Sequence, residues 1–314
     1  MHYTLHQLKI FTVVAKYSSI TRASEQLHMT QPAVSIQLKN LQDQFDIPLT
    51  ETIGRKLYIT EFGRELVTIA SSILASTDQI SQQMLARKGL LTGKIKFSIV
   101  STGKYIMPYY LAPFYKKYPT VELEMDVTNR REVLNAMQEN KTDFALVSIL
   151  PDHLEVEEEL LMPNALWLVA GREFVGKPTE KAGDISLLKD IPILYRENGS
   201  ATRIVMEEYM SKVSVRPSIK LELSSTEAIK QAVIAGLGAS VLSIYSLRTE
   251  LQTGDVKLLP LKGFPLYAHW RLIWLKGKKF SPASQAFLAS IRENKVSVWD
   301  AHFAWAKQYL NQVS

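Results

Sequence analysis

A predicted helix over residues 31–42 has polar side chains on one side and apolar side chains on the other. Gln31, Ser35 and Lys39 recur every four residues and so fall along one face of the helix. The apolar side carries Val34, Leu38 and Leu41. Glutamine can pair with adenine through two hydrogen bonds, serine can donate to or accept from base edges, and lysine can reach a phosphate. The helix is therefore suited to the major groove of DNA, although a small helical bundle with a solvated polar face would show the same pattern.

The segment before this helix completes the pattern of two helices joined by a turn. Apolar side chains recur at helical spacing over residues 5–15 and again over residues 20–27. Thr30 offers a hydroxyl to cap the next helix, and Pro32 is tolerated in its first turn, where backbone N–H groups lack helical partners. Two short helices with a tight turn, the second with a polar outer face, match the geometry of a DNA-binding helix-turn-helix.

A short two-stranded wing is predicted over residues 49–59. Two brief apolar runs flank a turn at Gly54, Arg55 and Lys56. The two cations at the tip would lie near the minor groove or its flanking phosphates.

Three further polar clusters follow predicted strands in the second half of the chain. They are Ser101–Lys104, Thr128–Arg130 and Arg196–Arg203. Open α/β sheets bind ligands at the carboxyl ends of their strands, and helix N-termini favour anions through free N–H groups and the helix dipole. Ordinary helix capping would explain each cluster alone. Three clusters in two lobes that face one cleft favour a binding site for a small anion.

An enzyme acting on a small anion is the competing interpretation of these clusters. It would need a nucleophile, a base or a metal cluster, but the six histidines are scattered without ligand spacing. The sequence has no H-E-x-x-H, G-x-S-x-G or P-loop motif. The acidic run over residues 155–159 is most simply a solvated surface stretch. We therefore expect no catalysis, metal or cofactor; a purely structural DNA-binding dimer would leave about two-thirds of the chain unused.

A long helix is predicted from Thr60 to about Lys88. Its apolar and small side chains recur at alternating intervals of four and three, as in a coiled coil. They are Leu66, Ala70, Ile73, Thr77, Ile80 and Met84. This spacing favours a dimerisation helix, and Gly89 and Gly93 flank a predicted hinge.

Residues 94–314 alternate between predicted strands and helices, which is typical of an α/β domain with parallel strands and crossover helices. We expect two lobes, the first formed by residues 94–163 and 267–314 and the second by residues 164–266. A final helix from Ser281 to about Lys295 should precede a separate amphipathic helix over residues 296–313. The aromatic side chains of this tail would pack on the body of the domain.

Composition is that of an ordinary soluble protein, with 46% hydrophobic and 22% charged residues. The N-terminus resembles no signal peptide, and no apolar run approaches a membrane span, so we expect a cytoplasmic protein without a membrane partner. Cysteine is absent, which excludes disulfides and thiolate metal sites and fits a reducing compartment.

The net charge of +6 permits contact with a polyanion, but residues 1–93 hold nine cations against seven anions. Charge alone therefore does not identify a DNA-binding protein.

The segment over residues 19–35 is SITRASEQLHMTQPAVS, and it closely resembles the helix-turn-helix of LysR-type transcriptional regulators. Gly54-Arg55 and Thr60-Glu61-x-Gly63 resemble the wing and the linker start of that family. The resemblance continues through the chain and implies an α/β multidomain protein. Its parts would be a winged helix-turn-helix (1–59), a linker helix (60–88), a hinge (89–93) and a two-lobed effector-binding domain similar to periplasmic solute-binding proteins (94–314).

The resemblance also assigns residues to the DNA contact. Gln31, Pro32, Ser35 and Lys39 belong to the recognition helix. Arg22 and Arg55 are expected to contact the DNA backbone, and Lys56 lies beside Arg55 at the tip of the wing.

The second half is similar to regulators of RuBisCO operons (the CbbR type), which respond to phosphorylated or carboxylated metabolites. This resemblance implies that Ser101, Thr102 and Thr202 bind the effector. Further candidates are Thr128, Asn129, Arg130, Ser148, Ser200 and Arg203. Arginines at a lobe boundary can instead pair with Glu132 or Glu207.

The sequence departs from the family pattern at the DNA-binding surface. Ile36 stands where the family usually has arginine, Thr50-Glu51-Thr52 replaces Phe-Glu-Arg, and Asp46 replaces a common glycine. Two cations are therefore missing, and we expect DNA binding to depend less steeply on salt than is typical for the family.

The expected mechanism joins these parts. The chain would bind double-stranded promoter DNA as a homodimer or a homotetramer assembled through the linker helix. A small anionic effector between the two lobes would change the spacing of the DNA-binding heads.

Overall fold

The computed structural model describes residues 2–54, 56–87, 90–173, 185 and 187–310 of the chain. They fall into two compact units, unit 1 over Met1–Leu90 and unit 2 over Leu91–Ser314. Among the helices of these residues, none is long and apolar enough to cross a membrane.

Unit 1 is a helical domain with a two-stranded wing. Its elements are α1 (Leu5–Tyr17), α2 (Ile20–Leu27), α3 (Gln31–Gln42), β1 (Thr50–Ile53), β2 (Lys56–Ile59) and α4 (Glu61–Arg87). The strands β1 and β2 pair antiparallel from Thr50↔Ile59 to Ile53↔Lys56. The turn between them holds Gly54 at φ +64°, a conformation that glycine adopts without strain.

Local hydrogen bonds fix where the first two helices begin, and a proline favours the start of the third. Thr4 and Gln7 form a capping box at the start of α1, and the Ser19 hydroxyl accepts from the Arg22 N–H at the start of α2. Thr30 occupies the N-cap position of α3, but its hydroxyl makes no capping bond, so that prediction was wrong. The fixed φ of Pro32 instead suits the first turn of this helix.

Burial of one face of each helix holds unit 1 together. The core includes Leu8, Phe11 and Val14 of α1, Ala23 of α2, Val34, Leu38 and Leu41 of α3, Leu49 before the wing, and Leu66 and Ala70 of α4. Because the apolar stripe of α3 is buried in this core, its opposite face is turned to solvent.

The start of α4 is tied to the wing. The Thr60 hydroxyl donates to the Pro48 carbonyl at 2.6 Å and accepts from the Gly63 N–H at 3.0 Å, so it caps the start of α4. A Cβ atom on Gly63 would lie 2.2 Å from the Leu49 carbonyl oxygen, so only glycine allows this approach. Farther along α4, the seam residues Ile80 and Met84 are exposed.

Unit 2 begins with the elements of its first lobe. They are β3 (Gly93–Val100), a 3-10 turn over Ser101–Tyr105, α5 (Met107–Lys117), β4 (Val121–Thr128), α6 (Arg130–Gln138), β5 (Phe144–Val147) and β6 (Val156–Gly171). The strand β3 lies between β4 and β5 and is parallel to both, as predicted. Gly93 is part of β3, so the strand begins inside the predicted hinge; Lys88 and Gly89 lie outside the described residues.

The remaining elements form the second lobe and the return to the first. They are α7 (Leu187–Asp190), β7 (Pro192–Arg196), α8 (Ala201–Lys212), β8 (Ser218–Leu223), α9 (Thr226–Ile234), β9 (Ser240–Ser243), a 3-10 turn over Ile244–Ser246, α10 (Arg248–Thr253), β10 (Val256–Leu258), β11 (Leu266–Leu275), α11 (Pro282–His302), a 3-10 turn over Ala304–Ala306 and α12 (Lys307–Leu310). In the second lobe, β7 is parallel to β8, while β9 and β10 pair with the C-terminal half of β6.

The two lobes share their longest strands. β11 pairs antiparallel along its whole length with residues 156–166 of β6, and the register shifts between Trp270 and Arg271. Beyond this bulge, β11 pairs with β5 in the first lobe, whereas β6 continues into the second lobe. Two strands therefore pass from lobe to lobe, which allows either lobe to rotate while the strands stay paired.

The acidic run over residues 155–159 is largely exposed, as predicted for a surface stretch, but Glu159 is mostly buried. Val156 begins β6, and Glu158 pairs with Arg271 at 2.6 Å. Glu159 is held by Arg292 at 2.8 Å and by a lysine of α11 at 2.6 Å. The sequence did not indicate these ion pairs, because the cations lie more than a hundred residues away.

The C-terminal tail is arranged differently from the prediction. The helix α11 continues without a break through Lys295 to His302, so no separate helix begins at residue 296. Beyond it, Phe303 is buried, and the Trp167 indole N–H donates to the Tyr309 carbonyl at 3.0 Å. The helix α11 packs on α5 and β3 of the first lobe, so the tail carries the chain from there to β6 in the second lobe.

Candidate DNA-binding and effector-binding sites

The outer face of α3 presents the predicted DNA-contacting residues to solvent. Gln31, Pro32, Ser35 and Lys39 are all exposed. The side chains of Val34, Leu38 and Leu41 are buried on the other face, so the helix cannot rotate about its axis without exposing its apolar stripe.

Gln42, the last residue of α3, belongs to the scaffold of unit 1. Its side chain donates to the Ile47 carbonyl at 3.3 Å and accepts from the Leu49 N–H at 2.5 Å. These bonds fix the loop that leads from α3 into the wing.

The remaining cations predicted to contact DNA lie on α2 and on the wing. Arg22 is exposed on α2, and Lys56 is exposed at the start of β2. Arg55 lies outside the described residues.

In unit 2, the polar clusters lie at the carboxyl ends of parallel strands, as the topology requires. Ser101 and Thr102 follow β3, Ser148 follows the neighbouring β5, and Thr128 ends β4 on the other side. The Ser101 cluster forms a 3-10 turn and does not open an α-helix, because α5 starts only at Met107. Ser200 and Thr202 follow β7 in the second lobe.

Arg196 connects the carboxyl ends of the strands in the first lobe with those in the second lobe. It is the last residue of β7, and its side chain is only 5% exposed. It pairs with Glu197 at 2.8 Å and donates to the Thr226 hydroxyl at 2.7 Å, both in the second lobe. It also donates to the Ser101 hydroxyl of the first lobe at 3.1 Å. The Ser101 cluster and the Arg196 cluster are therefore neighbours.

Four mostly buried residues beside these strand ends have hydroxyls that make no hydrogen bond among the described residues. They are Thr102, Ser148, Ser200 and Thr202. Ser200 is the N-cap residue of α8, yet its hydroxyl caps nothing. None of these four oxygens is among the fully enclosed polar atoms without a partner, so each keeps some solvent access, and a ligand with hydrogen-bonding atoms can reach it.

Two other predicted ligands mainly serve the scaffold. The Asn129 side chain accepts from the Glu132 N–H at 3.0 Å and caps α6. Arg203 pairs with Glu207 and with Glu222, each at 2.7 Å, so the alternative pairing with Glu207 is observed.

Arg130 is only partly satisfied. Its Nη2 donates to the Leu150 carbonyl at 3.1 Å, and it does not pair with Glu132. Its Nε is buried and has no hydrogen-bond partner among the described residues. Burial lowers the pKa of this guanidinium, while the charge of Asp152 acts in the opposite direction. An anionic group would satisfy the free Nε–H.

A second set of contacts crosses between the lobes beside Arg196. The Tyr105 hydroxyl of the first lobe donates to Glu227 of α9 at 2.7 Å. Burial, followed by this bond, raises the pKa of Tyr105 to about 12, so the phenol stays protonated and acts as a donor. Lys230 pairs with Glu227 at 3.0 Å and with Glu250 at 2.6 Å. Burial lowers the pKa of Lys230, but these carboxylates outweigh it and the pKa is raised.

Sequence reasoning placed Arg196 at the start of a polar cluster without naming it as a ligand, and it did not select Thr226, Tyr105 or Lys230. The bond from Arg196 to Ser101 spans 95 residues, and the bond from Tyr105 to Glu227 spans 122. One local signal existed for Arg196: an arginine directly ends a buried apolar strand. Within the part of the chain that the structure describes, no group of acidic and histidine side chains could hold a metal ion.

Two family models cover most of the chain. "Bacterial regulatory helix-turn-helix protein, lysR family" matches residues 5–64, and "LysR substrate binding domain" matches residues 88–295. The chain therefore belongs to the LysR family of bacterial transcriptional regulators, and it is a regulator with an effector-binding domain, not an enzyme.

Named relatives confirm the resemblance to regulators of RuBisCO operons. The chain is 37% identical to the HTH-type transcriptional activator CmpR of Synechocystis sp., over 91% of this chain and 93% of the relative. It is also 37% identical to a RuBisCO operon transcriptional regulator of Acidithiobacillus ferrooxidans, over 91% of this chain and 93% of that protein.

Solved structures agree with the fold. The regulatory domain of Synechocystis CcmR in complex with 2-PG is 31% identical, with a TM-score of 0.61, over 65% of this chain and 98% of that chain. Full-length CbnR complexed with its target DNA is 19% identical, with a TM-score of 0.67, over 92% of this chain and 99% of that chain. The predicted fold class, a winged helix-turn-helix followed by a two-lobed α/β domain, is confirmed.

Proposed function

We propose that the chain regulates transcription in response to a small anionic metabolite that binds between the lobes of unit 2. The observation that carries this proposal is the group of four mostly buried residues whose hydroxyls have no protein partner, Thr102, Ser148, Ser200 and Thr202, at the strand ends that the interlobe Arg196 connects. Hydroxyl donors, the free Nε–H of Arg130 and the N-terminus of α8 together suit a phosphorylated or carboxylated ligand. The complex of CcmR with 2-PG supports a small-molecule effector for this type of domain.

Metabolite binding would act through the two shared strands. A ligand that contacts both lobes binds the closed arrangement better than the open one, and so it shifts the population toward closure. Couplings of roughly 1–3 kcal/mol are typical of such systems. If subunits pack through these lobes, closure changes the spacing of the DNA-binding units and hence the bend of the operator.

The proposed oligomer is a dimer or a tetramer that binds promoter DNA in the cytoplasm. Ile80 and Met84 continue the four-three spacing of α4 but are 65% and 60% exposed, so a second copy of α4 would cover them. In sedimentation experiments, Ile80→Lys should weaken self-association. Ala75→Lys, on the opposite and exposed side of α4, should not. Equal association of both variants would remove α4 from the interface.

The metabolite proposal is tested by thermal-shift screening of the full chain against phosphorylated and carboxylated metabolites. A true ligand at one hundred times its Kd should stabilise the folded state by about 2.7 kcal/mol. Thr102→Ala combined with Thr202→Ala should abolish this shift, because the hydroxyls that meet the ligand are gone. Thr249→Ala, an exposed change on α10, is the control.

The same variants connect the ligand to DNA. In footprints of its own promoter, the wild-type protein should show a metabolite-dependent change that the double variant lacks. An unchanged metabolite response in the double variant would remove the interlobe site from the mechanism.

A further inference from the structure

An isoleucine lies at the centre of the exposed face of α3. Ile36 is two residues from both Val34 and Leu38, and at about 100° per residue it points about 200° away from each of these buried side chains. Its side chain is 57% exposed. Gln31 and Ser35 lie toward one edge of this face, so Ile36 is the more central position.

The stability of unit 1 gives no reason for this isoleucine. Ile36 is absent from the core of unit 1 and from the partly buried side chains that pack on it. Its neighbours one turn away along the helix, Pro32, Lys39 and Asn40, are all exposed. A β-branched residue is also a poorer helix former than leucine, lysine or arginine. An apolar side chain at this place therefore gains nothing until something covers it.

The major groove offers an apolar group that suits this position. Guanine, cytosine and adenine present hydrogen-bonding groups there, whereas thymine also presents its C5-methyl group. An arginine at position 36 would bind the O6 and N7 atoms of guanine, but an isoleucine can make only apolar contacts.

We propose that Ile36 determines sequence specificity by packing on a thymine methyl group, with Pro32 extending the same apolar strip. This inference rests on the proposed contact of α3 with DNA. It goes further by naming the base that Ile36 selects. Gln31 on the same face is suited to adenine, so the half-site should be rich in A·T pairs at the positions that α3 covers.

The test begins with the full-length chain and a random-sequence duplex library, from which bound duplexes are selected. In the selected site, each thymine is then replaced singly by deoxyuridine, which removes only the C5-methyl group. We expect the replacement at one or two positions to raise the Kd of the wild-type protein about fourfold, the effect of one methyl group losing its apolar contact. Replacement at the other positions should have little effect.

Variants at position 36 assign this effect to one side chain. Ile36→Ala should bind the thymine duplex about as weakly as the wild-type protein binds the deoxyuridine duplex, and it should no longer distinguish the two. Ile36→Val should retain part of the discrimination. Ile47→Ala removes an isoleucine of similar exposure outside α3 and should retain all of it.

A second selection keeps the test independent of how well the alanine variant folds. With Ile36→Arg, the sites selected from the same library should carry guanine where the wild-type protein selects thymine. A wild-type protein that is insensitive to every deoxyuridine replacement, or an Ile36→Arg variant that selects the same base, would overturn the inference while leaving DNA binding intact. If the wild-type protein enriches no sequence at all, the proposed contact of α3 with DNA fails and the inference fails with it.

Discussion

At the scale of single residues, Arg196 shows how a buried charge can join two lobes. It satisfies its donors with Glu197, Thr226 and Ser101, and so its burial requires partners from both sides of the cleft. A ligand that took the place of one partner would change how the lobes are held together.

Removing this guanidinium should destabilise unit 2. Arg196→Ala leaves Glu197 without its cation in a mostly buried place, and we expect a loss of about 3 kcal/mol in the free energy of unfolding. All five tryptophans lie in unit 2, so tryptophan fluorescence in urea follows its unfolding.

Arg172→Ala is the matched control for this experiment. Arg172 pairs with Asp255 at the surface and is 63% exposed, so its loss should cost less than about 1 kcal/mol. Equal losses for the two variants would show that burial of Arg196 does not matter.

Glu227 should make the interlobe contact sensitive to acid. Burial opposes its ionisation, but hydrogen bonds from Tyr105 and Lys230 outweigh burial and lower its pKa below the ordinary 4.5. A lowered carboxyl pKa means that the stabilising contribution is fully present above pH 4.5 and is lost as the pH falls through the lower, folded value.

We therefore expect Glu227→Gln to be less stable than the wild-type protein at neutral pH and to approach it in acid, as the pH falls below 4.5 and through the folded-state pKa. Urea unfolding followed by tryptophan fluorescence at both pH values measures the difference. Glu208→Gln, an exposed change on α8, should match the wild-type protein throughout. A deficit in Glu227→Gln that persists in acid would mean that the charge of Glu227 is not its cause.

Elements could be predicted from the sequence to within one or two residues where periodicity was strong. The helix α8 was expected over residues 201–212 and is found there. The continuity of α11 past Lys295 was not predicted. The ion pairs at the acidic start of β6 were not predicted either, because their cations approach from distant parts of the chain. For the same reason, capping by Asn129 and ion pairing by Arg203 could not be separated from ligand binding before their partners were located.

The C-terminal tail is the element that links the aromatic groups of unit 2. The Phe303 ring lies 5.2 Å from Tyr109 and 5.6 Å from Tyr245, measured between ring centroids. Tyr109 belongs to α5, and Tyr245 follows β9, so Phe303 packs between elements of both lobes.

Phe303→Ala should lower the free energy of unfolding by about 3–5 kcal/mol, the usual cost of removing a buried ring. Val296→Ala removes an exposed side chain of α11 and should stay within about 0.5 kcal/mol of the wild-type protein. Thermal unfolding of both variants measures the contrast. If Phe303→Ala and Val296→Ala unfold at the same temperature, the tail does not contribute to the stability of the core.

At the scale of the whole molecule, only a small part of the net charge of +6 lies in the part of the chain that is proposed to bind DNA. Residues 1–93 hold nine cations against seven anions, and Thr52 on the exposed strand β1 stands where the resemblance to the family leads us to expect arginine. The affinity for duplex DNA falls with salt in proportion to the number of phosphates that the protein neutralises. A shallow slope of log K against log salt is therefore expected for the wild-type protein.

Restoring one of the missing cations should make that slope steeper. If an arginine at position 52 meets a phosphate, Thr52→Arg increases the magnitude of the slope by about 0.9 for each bound protomer. Thr52→Gln adds a long side chain without charge and should leave the slope unchanged, which separates charge from contact area. Filter binding or fluorescence anisotropy on the selected duplex, over a range of salt concentrations, gives both slopes. An unchanged slope for Thr52→Arg would mean that β1 does not approach the backbone. The shallow slope of the wild-type protein would then need another cause than this missing cation.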